Sequence, residues 1–185
     1  MLKRSFDITA ALLGLIIASP IMAVLAVIIR QTSPGPALFV QTRVGRNEAS
    51  FTCLKFRTMA TGTPDVASHA ASTSWITPTG RWLRAYKLDE LPQLINVLKG
   101  EMSLVGPRPC LPNQADVIVA RRAQNVFSVR PGITGPAQVA GIDMSEPERL
   151  AAADRSYVDN QTLAGDIKLL FQTVLGGGRG DPASR

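Results

Sequence analysis

The stretch RWLRAYKLDELPQLINVLKGEMSLVGPRP, residues 81–109, has an adjacent pair of carboxylates, Asp89 and Glu90, near its start. Leucine and isoleucine follow the pair at helical spacing, which predicts a helix from Asp89 to Leu98. Basic residues lie on both sides, at Arg81, Arg84, Lys87, Lys99 and Arg108. Two interpretations stay open from these residues. The pair is a site for phosphate chemistry with a divalent metal, or it is an ordinary helix start in which Asp89 caps the helix and Glu90 complements its dipole.

The composition of the chain indicates which kind of molecule it binds. A net charge of +6 indicates an anionic partner, such as phospholipid, nucleotide or nucleic acid. Nucleic acid is disfavoured, because aromatic residues form only 5% of the chain and no basic run is interleaved with them. Cys53 and Cys110 have no metal-ligand spacing, and His69 is a poor basis for a Ser-His-Asp triad.

Residues 8–29, ITAALLGLIIASPIMAVLAVII, contain no charge and are long enough to cross a bilayer as a helix. Ser19-Pro20 falls in the middle, where a proline removes a backbone hydrogen bond and kinks a helix. Basic residues flank both ends of the segment, so the positive-inside rule favours both ends in the cytosol. The residues leave open a spanning helix and a helix that enters one leaflet, bends at Ser19-Pro20 and returns.

Two alternating segments, residues 37–44 and 50–56, predict a β-hairpin. Lys55 and Arg57 are two positions apart, so both cations are expected on one face, either in a site or in solvent. Residues 58–77 predict a loop. Helices are predicted over residues 79–84 with Thr79 as cap, 113–125, 146–160 and 165–175, and a short strand over 137–139.

Arg108 lies between two prolines, which hold it in an extended loop suited to phosphate binding, and Arg130 also precedes a proline. A rigid connector with a solvated arginine is the alternative. The sequence therefore predicts an α/β mixed fold, mostly helical with a small β-hairpin, and lacks the alternating βαβ pattern of a nucleotide-binding sheet.

The run LDELPQLINVLKGEMSLVGPRP, with CLKFRTM before it and RPGITG after it, resembles the bacterial sugar transferases, the small monotopic polyprenyl-phosphate phosphoglycosyl transferases. The resemblance extends from Lys3 to about Val174. It implies that a phospho-sugar passes from a UDP-sugar to undecaprenyl phosphate and that UMP is released. This would be the first membrane step of bacterial surface glycan assembly, at the cytosolic face of the inner membrane.

The resemblance also implies roles for individual residues. Asp89 would be the nucleophile that forms an aspartyl phospho-sugar intermediate, and Glu90, with Asp89 beside it, would bind Mg²⁺. Asp166 would support the site from behind. Basic residues would bind the substrate phosphates: Lys55, Arg57, Arg84, Arg108 and Arg130.

The resemblance predicts the organisation of the chain as well. Residues 1–31 would form a re-entrant membrane helix-break-helix with its break at Ser19-Pro20, residues 32–175 the cytosolic catalytic domain with amphipathic helices at the membrane surface, and residues 176–185 a flexible tail. Larger relatives carry further N-terminal spans and another domain, so this chain is expected to be the minimal catalytic form. One departure is Asn160-Gln161-Thr162, where relatives often have Asn-Trp-Ser.

Two alternative functions remain at this level. A catalytically inactive, membrane-anchored scaffold would keep the fold, although intact Asp89, Glu90 and Arg108 argue against it. Another metal-dependent phosphoryl-transfer enzyme acting on lipid phosphates is the second. The sugar, the glycan pathway and the oligomeric state stay open, and a homodimer is compatible with the sequence.

Overall fold

The computed structural model describes residues 2–63 and 72–176. His69, part of the predicted 58–77 loop and nearly all of the predicted tail lie outside these residues. Seven α-helices and four short strands are present in the described part. The helices are α1 (Leu2–Thr32), α2 (Pro78–Ala85), α3 (Gln93–Lys99), α4 (Ala115–Ala123), α5 (Pro136–Val139), α6 (Pro147–Asp159) and α7 (Leu163–Val174). The strands are β1 (Leu38–Val44), β2 (Ser50–Phe56), β3 (Ser103–Val105) and β4 (Gly132–Thr134). The prediction of a mixed, mostly helical fold is confirmed.

Helix α1 is long and apolar enough to cross a membrane. Its buried positions are spaced by four and seven residues, so they form one stripe that packs on the rest of the protein: Asp7, Ala11, Ala18, Leu25 and Ile29. Large apolar side chains on the remaining surface are exposed, among them Ile17 and Val24. An exposed apolar face of this length indicates an apolar environment for that side of the helix.

The helix continues through Pro20 and shows no break in helical structure. Proline has no N–H, so the carbonyl of Ile16 loses its usual helical partner. The Ser19 hydroxyl donates to that carbonyl at 3.0 Å. Ser19 therefore compensates locally for the bond that Pro20 removes, and the structure has one continuous helix where two arms were expected.

Both ends of α1 are attached to the same body of protein. Near the start, the Arg4 guanidinium donates to the carbonyls of Val97 and Leu98 at 2.8 and 3.2 Å, at the end of α3. At the other end, the Thr79 hydroxyl donates to that of Thr32 at 3.1 Å. Leu25 and Ile29 belong to a buried cluster that also contains residues of the hairpin and of α2. Helix α1 therefore lies along the part of the chain that contains α2, α3 and the hairpin.

Strands β1 and β2 pair antiparallel, with Leu38 opposite Phe56 and Val44 opposite Ser50. The predicted hairpin is therefore confirmed. Asn96 of α3 fixes the hairpin to the helix, because its amide accepts from Leu54 N and donates to Thr52 O. This contact holds β2, and with it Lys55, against the helix that follows the carboxylate pair.

Strands β3 and β4 form a parallel pair that the sequence analysis missed, since three-residue strands carry too little alternation to detect. The predicted strand over residues 137–139 was wrong, because Pro136 begins the short helix α5 there. Helix α2 is capped by Thr77, whose side chain accepts from Gly80 N, and not by Thr79. The helices predicted over residues 113–125, 146–160 and 165–175 are confirmed with ends that shift by one or two residues, and the helix predicted from Asp89 begins four residues later, at Gln93.

Candidate active site

Asp89 and Glu90 lie in a single 3₁₀ turn, Leu88–Glu90, and not in the first turn of α3. Lys87 precedes the turn in the left-handed conformation, with φ of 57°. Helix α3 begins at Gln93, and Pro92 occupies its cap position without a side-chain cap. The interpretation of Asp89 as an N-cap was therefore wrong, and the pair needs another explanation.

Two cations form ion pairs with the same carboxylate oxygen of Glu90. The Lys55 ammonium and the Arg108 guanidinium each donate to Glu90 Oε1 at 2.9 Å. Burial by itself raises the pKa of a carboxyl, but here the charges of Arg108 and Lys55 outweigh it and hold the pKa of Glu90 well below its usual range. Glu90 is therefore ionised at neutral pH. Its bonds to Lys55 and Arg108 connect the turn that carries the carboxylate pair to the hairpin and to the loop that carries Arg108.

Asp89 has the opposite environment. It is only 9% exposed, and burial raises the pKa of its carboxyl. The neighbouring charge of Glu90 raises it further, while Lys55, Arg84 and Arg108 act in the other direction. Adjacent carboxyls whose pKa values are displaced in opposite directions are typical of catalytic pairs.

Arg84 brings a further cation to the pair. Its Nε donates to the Thr58 hydroxyl at 2.9 Å, which fixes the orientation of the guanidinium. Its Nη1 is buried and has no hydrogen-bond partner among the described residues. A buried donor without an acceptor is costly, so this N–H is suited to an anion that enters the site.

The other predicted phosphate ligands lie elsewhere. The Arg57 guanidinium donates to the carbonyls of Ser33 and Pro34, in the loop after α1. Arg130 donates to Gly100 O at 2.7 Å, at the opposite end of α3 from the carboxylate pair. Burial, and then the nearby charges of Arg4 and Arg46, lower the pKa of Arg130. The structure therefore unites Lys55, Arg84 and Arg108 with the pair and separates Arg57 and Arg130 from them.

Asp166 is buried behind the site, in a network that reaches α1. Its carboxylate accepts from the Lys3 ammonium at 2.7 Å and from the Tyr157 hydroxyl at 2.8 Å. The Lys3 ammonium also donates to Val105 O, at the end of β3, and that carbonyl lies 2.9 Å from the Tyr157 hydroxyl oxygen. The network joins α1, α6 and α7, and the supporting role of Asp166 stays a prediction.

Three important residues were missed by the sequence analysis: Arg43, Arg121 and Asp154. Arg121 and Asp154 form a buried ion pair between α4 and α6, at 2.7 Å. Arg121 and Arg43 also donate to backbone carbonyls of the loop that carries Arg108. The spacing of Gln41 and Arg43 in β1 was the one available signal, since it places two polar side chains on the same face of a strand.

Within the described residues, no three His, Cys, Asp or Glu side chains form a group that could hold a metal ion. The oxygen donors of the site are the two carboxylates of the pair. Its positive groups lie on three separate segments of the chain. Such an arrangement of cations and carboxylates can bind an anion and attack it with a carboxylate oxygen.

Comparison with known proteins identifies the class. A relative from Caulobacter vibrioides, named UDP-glucose:undecaprenyl-phosphate glucose-1-phosphate transferase, is 42% identical over 181 residues, which are 93% of this chain and 68% of that protein. The undecaprenyl-phosphate galactose phosphotransferase of Salmonella typhimurium is 39% identical over 193 residues, which cover 94% of this chain but only 40% of that protein. The buried carboxyl pair and these relatives define a phosphoglycosyl transferase.

The family follows from the match of the whole chain. An uncharacterized sugar transferase of Bacillus subtilis is 40% identical over 174 residues, covering 94% of this chain and 86% of that protein. The family model described as bacterial sugar transferase matches residues 1–178. The chain belongs to the bacterial sugar transferase family.

Proposed function

We propose that this protein transfers a phospho-sugar from a UDP-sugar to undecaprenyl phosphate, giving undecaprenyl-diphospho-sugar and UMP. The observation that carries the proposal is the burial of Asp89 beside an ionised Glu90, with Lys55, Arg84 and Arg108 gathered around them. The relatives named above act on undecaprenyl phosphate with glucose or galactose phosphate, which supports the substrate class.

In the first half of the reaction, an oxygen of the Asp89 carboxylate attacks the phosphorus that bears the sugar. A phosphorus–oxygen bond forms to Asp89, the bond to the bridging oxygen of the diphosphate breaks, and UMP leaves with that oxygen. In the second half, an oxygen of undecaprenyl phosphate attacks the same phosphorus and the Asp89 carboxylate is released. The partial desolvation of Asp89 favours this role, because a poorly solvated carboxylate is a stronger nucleophile.

Positive groups are required because charge increases on the phosphate oxygens in the transition state. Lys55 and Arg108 already lie at the pair, and the free N–H of Arg84 adds a fixed donor. Entry of a diphosphate gives these three cations a second set of oxygen acceptors beside Glu90.

The donor set also fits Mg²⁺, which proteins bind through one or two carboxylates together with substrate phosphates. Asp89 and Glu90 are adjacent and oxygen-only, so Glu90 would hold the ion with Asp89 beside it. When bound, Mg²⁺ neutralises charge on the diphosphate.

We place the protein as a monotopic enzyme at the cytosolic face of the bacterial inner membrane, with α1 re-entrant in one leaflet. The attachment of both ends of α1 to one body supports this placement, since a spanning helix would carry one end across the bilayer. Ser19-Pro20 would be the point at which the helix bends in lipid. The active site then lies level with the headgroups, where a soluble nucleotide and a lipid phosphate can meet.

The experiment is a UMP-release assay with nanodisc-embedded protein, Mg²⁺, undecaprenyl phosphate and a panel containing UDP-glucose, UDP-galactose and UDP-N-acetylgalactosamine. We expect UMP with one donor, together with sugar retained on the lipid. Asp89→Asn and Glu90→Gln should each lower the rate by at least about 100-fold, the scale of losing one electrostatic group in an active site.

Asp116→Asn is the matched control, because Asp116 is an exposed acid on α4. Without lipid acceptor, a stoichiometric burst of UMP and a phospho-sugar adduct on the Asp89 peptide are expected from the covalent route. Undiminished UMP release by Asp89→Asn would contradict the covalent mechanism. Free sugar phosphate in place of a lipid product would favour a hydrolase.

A further inference from the structure

The loop that presents Arg108, residues 106–110, is held by its carbonyls. Its two prolines have no N–H. Gly106 N donates to Thr134 O at 2.9 Å, and the other bonds from outside segments are accepted by the loop's carbonyl oxygens. Four successive carbonyls accept such bonds: Pro107 O from Gly132 N at 2.9 Å, Arg108 O from Arg121 Nη1 at 2.7 Å, Pro109 O from Arg43 Nη1 at 3.0 Å, and Cys110 O from Val44 N at 2.9 Å. Two of the four donors are arginine side chains.

Arg121 is oriented by Asp154. Its Nε and Nη2 both donate to Asp154 Oδ2, at 2.9 and 2.7 Å, which leaves Nη1 directed at the carbonyl of Arg108. Arg121 is 1% exposed and Asp154 is fully buried. The planar fork of an arginine gives two donors to the carboxylate and a third, in a fixed direction, to a separate carbonyl.

Stability does not explain this pair. A buried ion pair is often no more stabilising than hydrophobic residues of similar volume, because both charges lose their hydration. Here Asp154 Oδ1 also lacks a hydrogen-bond partner among the described residues. A specific function in placing Arg108 accounts for the arrangement better than a contribution to folding.

The Arg108 side chain needs such support. Its guanidinium reaches Glu90 at 2.9 Å, yet the side chain is 29% exposed and so is only partly fixed by packing. The position of the Arg108 guanidinium beside the carboxylate pair therefore depends on the position of the Arg108 backbone. We infer that Arg121, oriented by Asp154, is a positioning residue that sets the place of Arg108 in the active site. The inference deepens the proposed function and rests on it for its catalytic consequence.

The test replaces the ion pair by apolar residues, Arg121→Met with Asp154→Leu. This exchange leaves no buried charge, so the melting temperature should stay near that of the unchanged protein. Hydrogen–deuterium exchange of peptides covering residues 105–111 should become faster. UMP release should fall by about 10- to 100-fold, the range seen when a catalytic group is displaced by a fraction of an ångström to an ångström.

A double-mutant cycle separates positioning from general damage. In an Arg108→Ala background, the apolar exchange should cause no further loss of UMP release, because the group that it displaces is already absent. The matched control is Arg155→Met with Asp159→Leu. That arginine also pairs with a carboxylate and donates to a carbonyl, Gln124 O, which lies away from the loop.

Unchanged exchange of residues 105–111, at equal melting temperature, would overturn the inference. Losses that multiply in the Arg108→Ala background would also overturn it. If the apolar pair does not fold, Arg121→Lys keeps a charge for Asp154 but loses the fixed fork that reaches Arg108 O, and the same two measurements apply. Absence of UMP from the unchanged protein with every donor would reject the proposed function alone, since the exchange measurement does not depend on turnover.

Discussion

Asp89 and Glu90 are neighbours in the chain, but folding affects their charges in opposite ways. Glu90 gains two cations, whereas Asp89 loses hydration and acquires the charge of Glu90 next to it. The raised pKa of Asp89 means that its ionised form is less favourable in the folded protein than in the unfolded chain. Asp89, the proposed nucleophile, is therefore a point at which the folded protein is less stable than it could be.

This difference predicts that Asp89→Asn stabilises the protein while it abolishes transfer. The folded pKa of Asp89 lies above its ordinary value of 3.8, so the unfolded chain releases this proton first as pH rises, and stability is lost through that window. Asparagine does not ionise, so Asp89→Asn removes this loss of stability. At pH 7 we expect a rise in melting temperature of roughly 2–4 °C, the shift per 1 kcal/mol for a domain of this size.

Differential scanning fluorimetry in detergent, without Mg²⁺, measures the effect. The gain should shrink at low pH, where Asp89 is protonated in the unchanged protein. Asp116→Asn should leave the melting temperature within about 1 °C, since surface substitutions are usually near neutral. A lower melting temperature for Asp89→Asn at pH 7 would show that the surrounding cations outweigh burial.

The residue pattern singled out Asp89 and Glu90 but left a helix start as the alternative, and only the family resemblance gave the pair a catalytic role. The prolines around Arg108 marked it as a fixed cation. The residue pattern could not decide among the remaining arginines. Arg57, Arg121 and Arg130 have the same side chain, yet one binds a loop carbonyl, one holds the Arg108 loop and one binds the end of α3. That choice depends on contacts between residues far apart in sequence, which local spacing does not encode.

At the level of elements, β3 and β4 can approach only because glycine lies at their ends. A Cβ on Gly135 would lie 2.2 Å from Gly106 O, although its φ of −170° suits any residue. Gly141 is the reverse case, with φ of +71° and no atom within 4 Å of its Cβ position. Gly135 is therefore required for lack of space, whereas Gly141 is required for its backbone conformation.

We predict that Gly135→Ala destabilises the protein by about 1–3 kcal/mol or more through overpacking and also lowers UMP release, because Gly106 starts the loop to Arg108. Gly141→Ala should cost about 1–2 kcal/mol from the left-handed backbone and leave the activity of the folded protein unchanged. Urea unfolding and the transfer assay measure the two effects. Equal losses of activity would contradict the role given to Gly106 and Gly135.

The hairpin and the long helices were predictable because their hydrophobic periods extend over seven or more residues. The start of α3 was not, since Lys87 adopts a left-handed conformation that makes the dyad a separate turn. A lysine in that conformation costs about 1–2 kcal/mol relative to an ordinary backbone. Only the packing of the completed fold maintains it, so no local pattern could reveal it.

For the whole molecule, the position of α1 is the main question. A straight helix of 31 residues is about 46 Å long, more than the roughly 30 Å of a bilayer core. Its attachment at both ends to the catalytic body argues that both ends face the same side. Single cysteines at Leu2 and at Gln31, two exposed positions, report the side directly once Cys53 and Cys110 are replaced by alanine.

We expect a membrane-impermeant thiol reagent to label both cysteines in inverted inner-membrane vesicles and neither in right-side-out vesicles. A cysteine at Gln124, a partly exposed residue at the end of α4, is the cytosolic control. Labelling of Leu2 and Gln31 from opposite sides would establish a spanning helix and contradict the monotopic placement.

The contact between Lys3 and Asp166 joins residues 163 positions apart. A ribosome that adds about 5–20 residues per second makes the second of them roughly 8–30 s after the first. In the first half of that interval α1 has been made, while α3, β3 and α7 have not. Lipid is the apolar surface that can receive it, so we expect the nascent chain to reach the membrane before it has folded. The enzyme is then assembled in place, and its last helix closes onto its first residues.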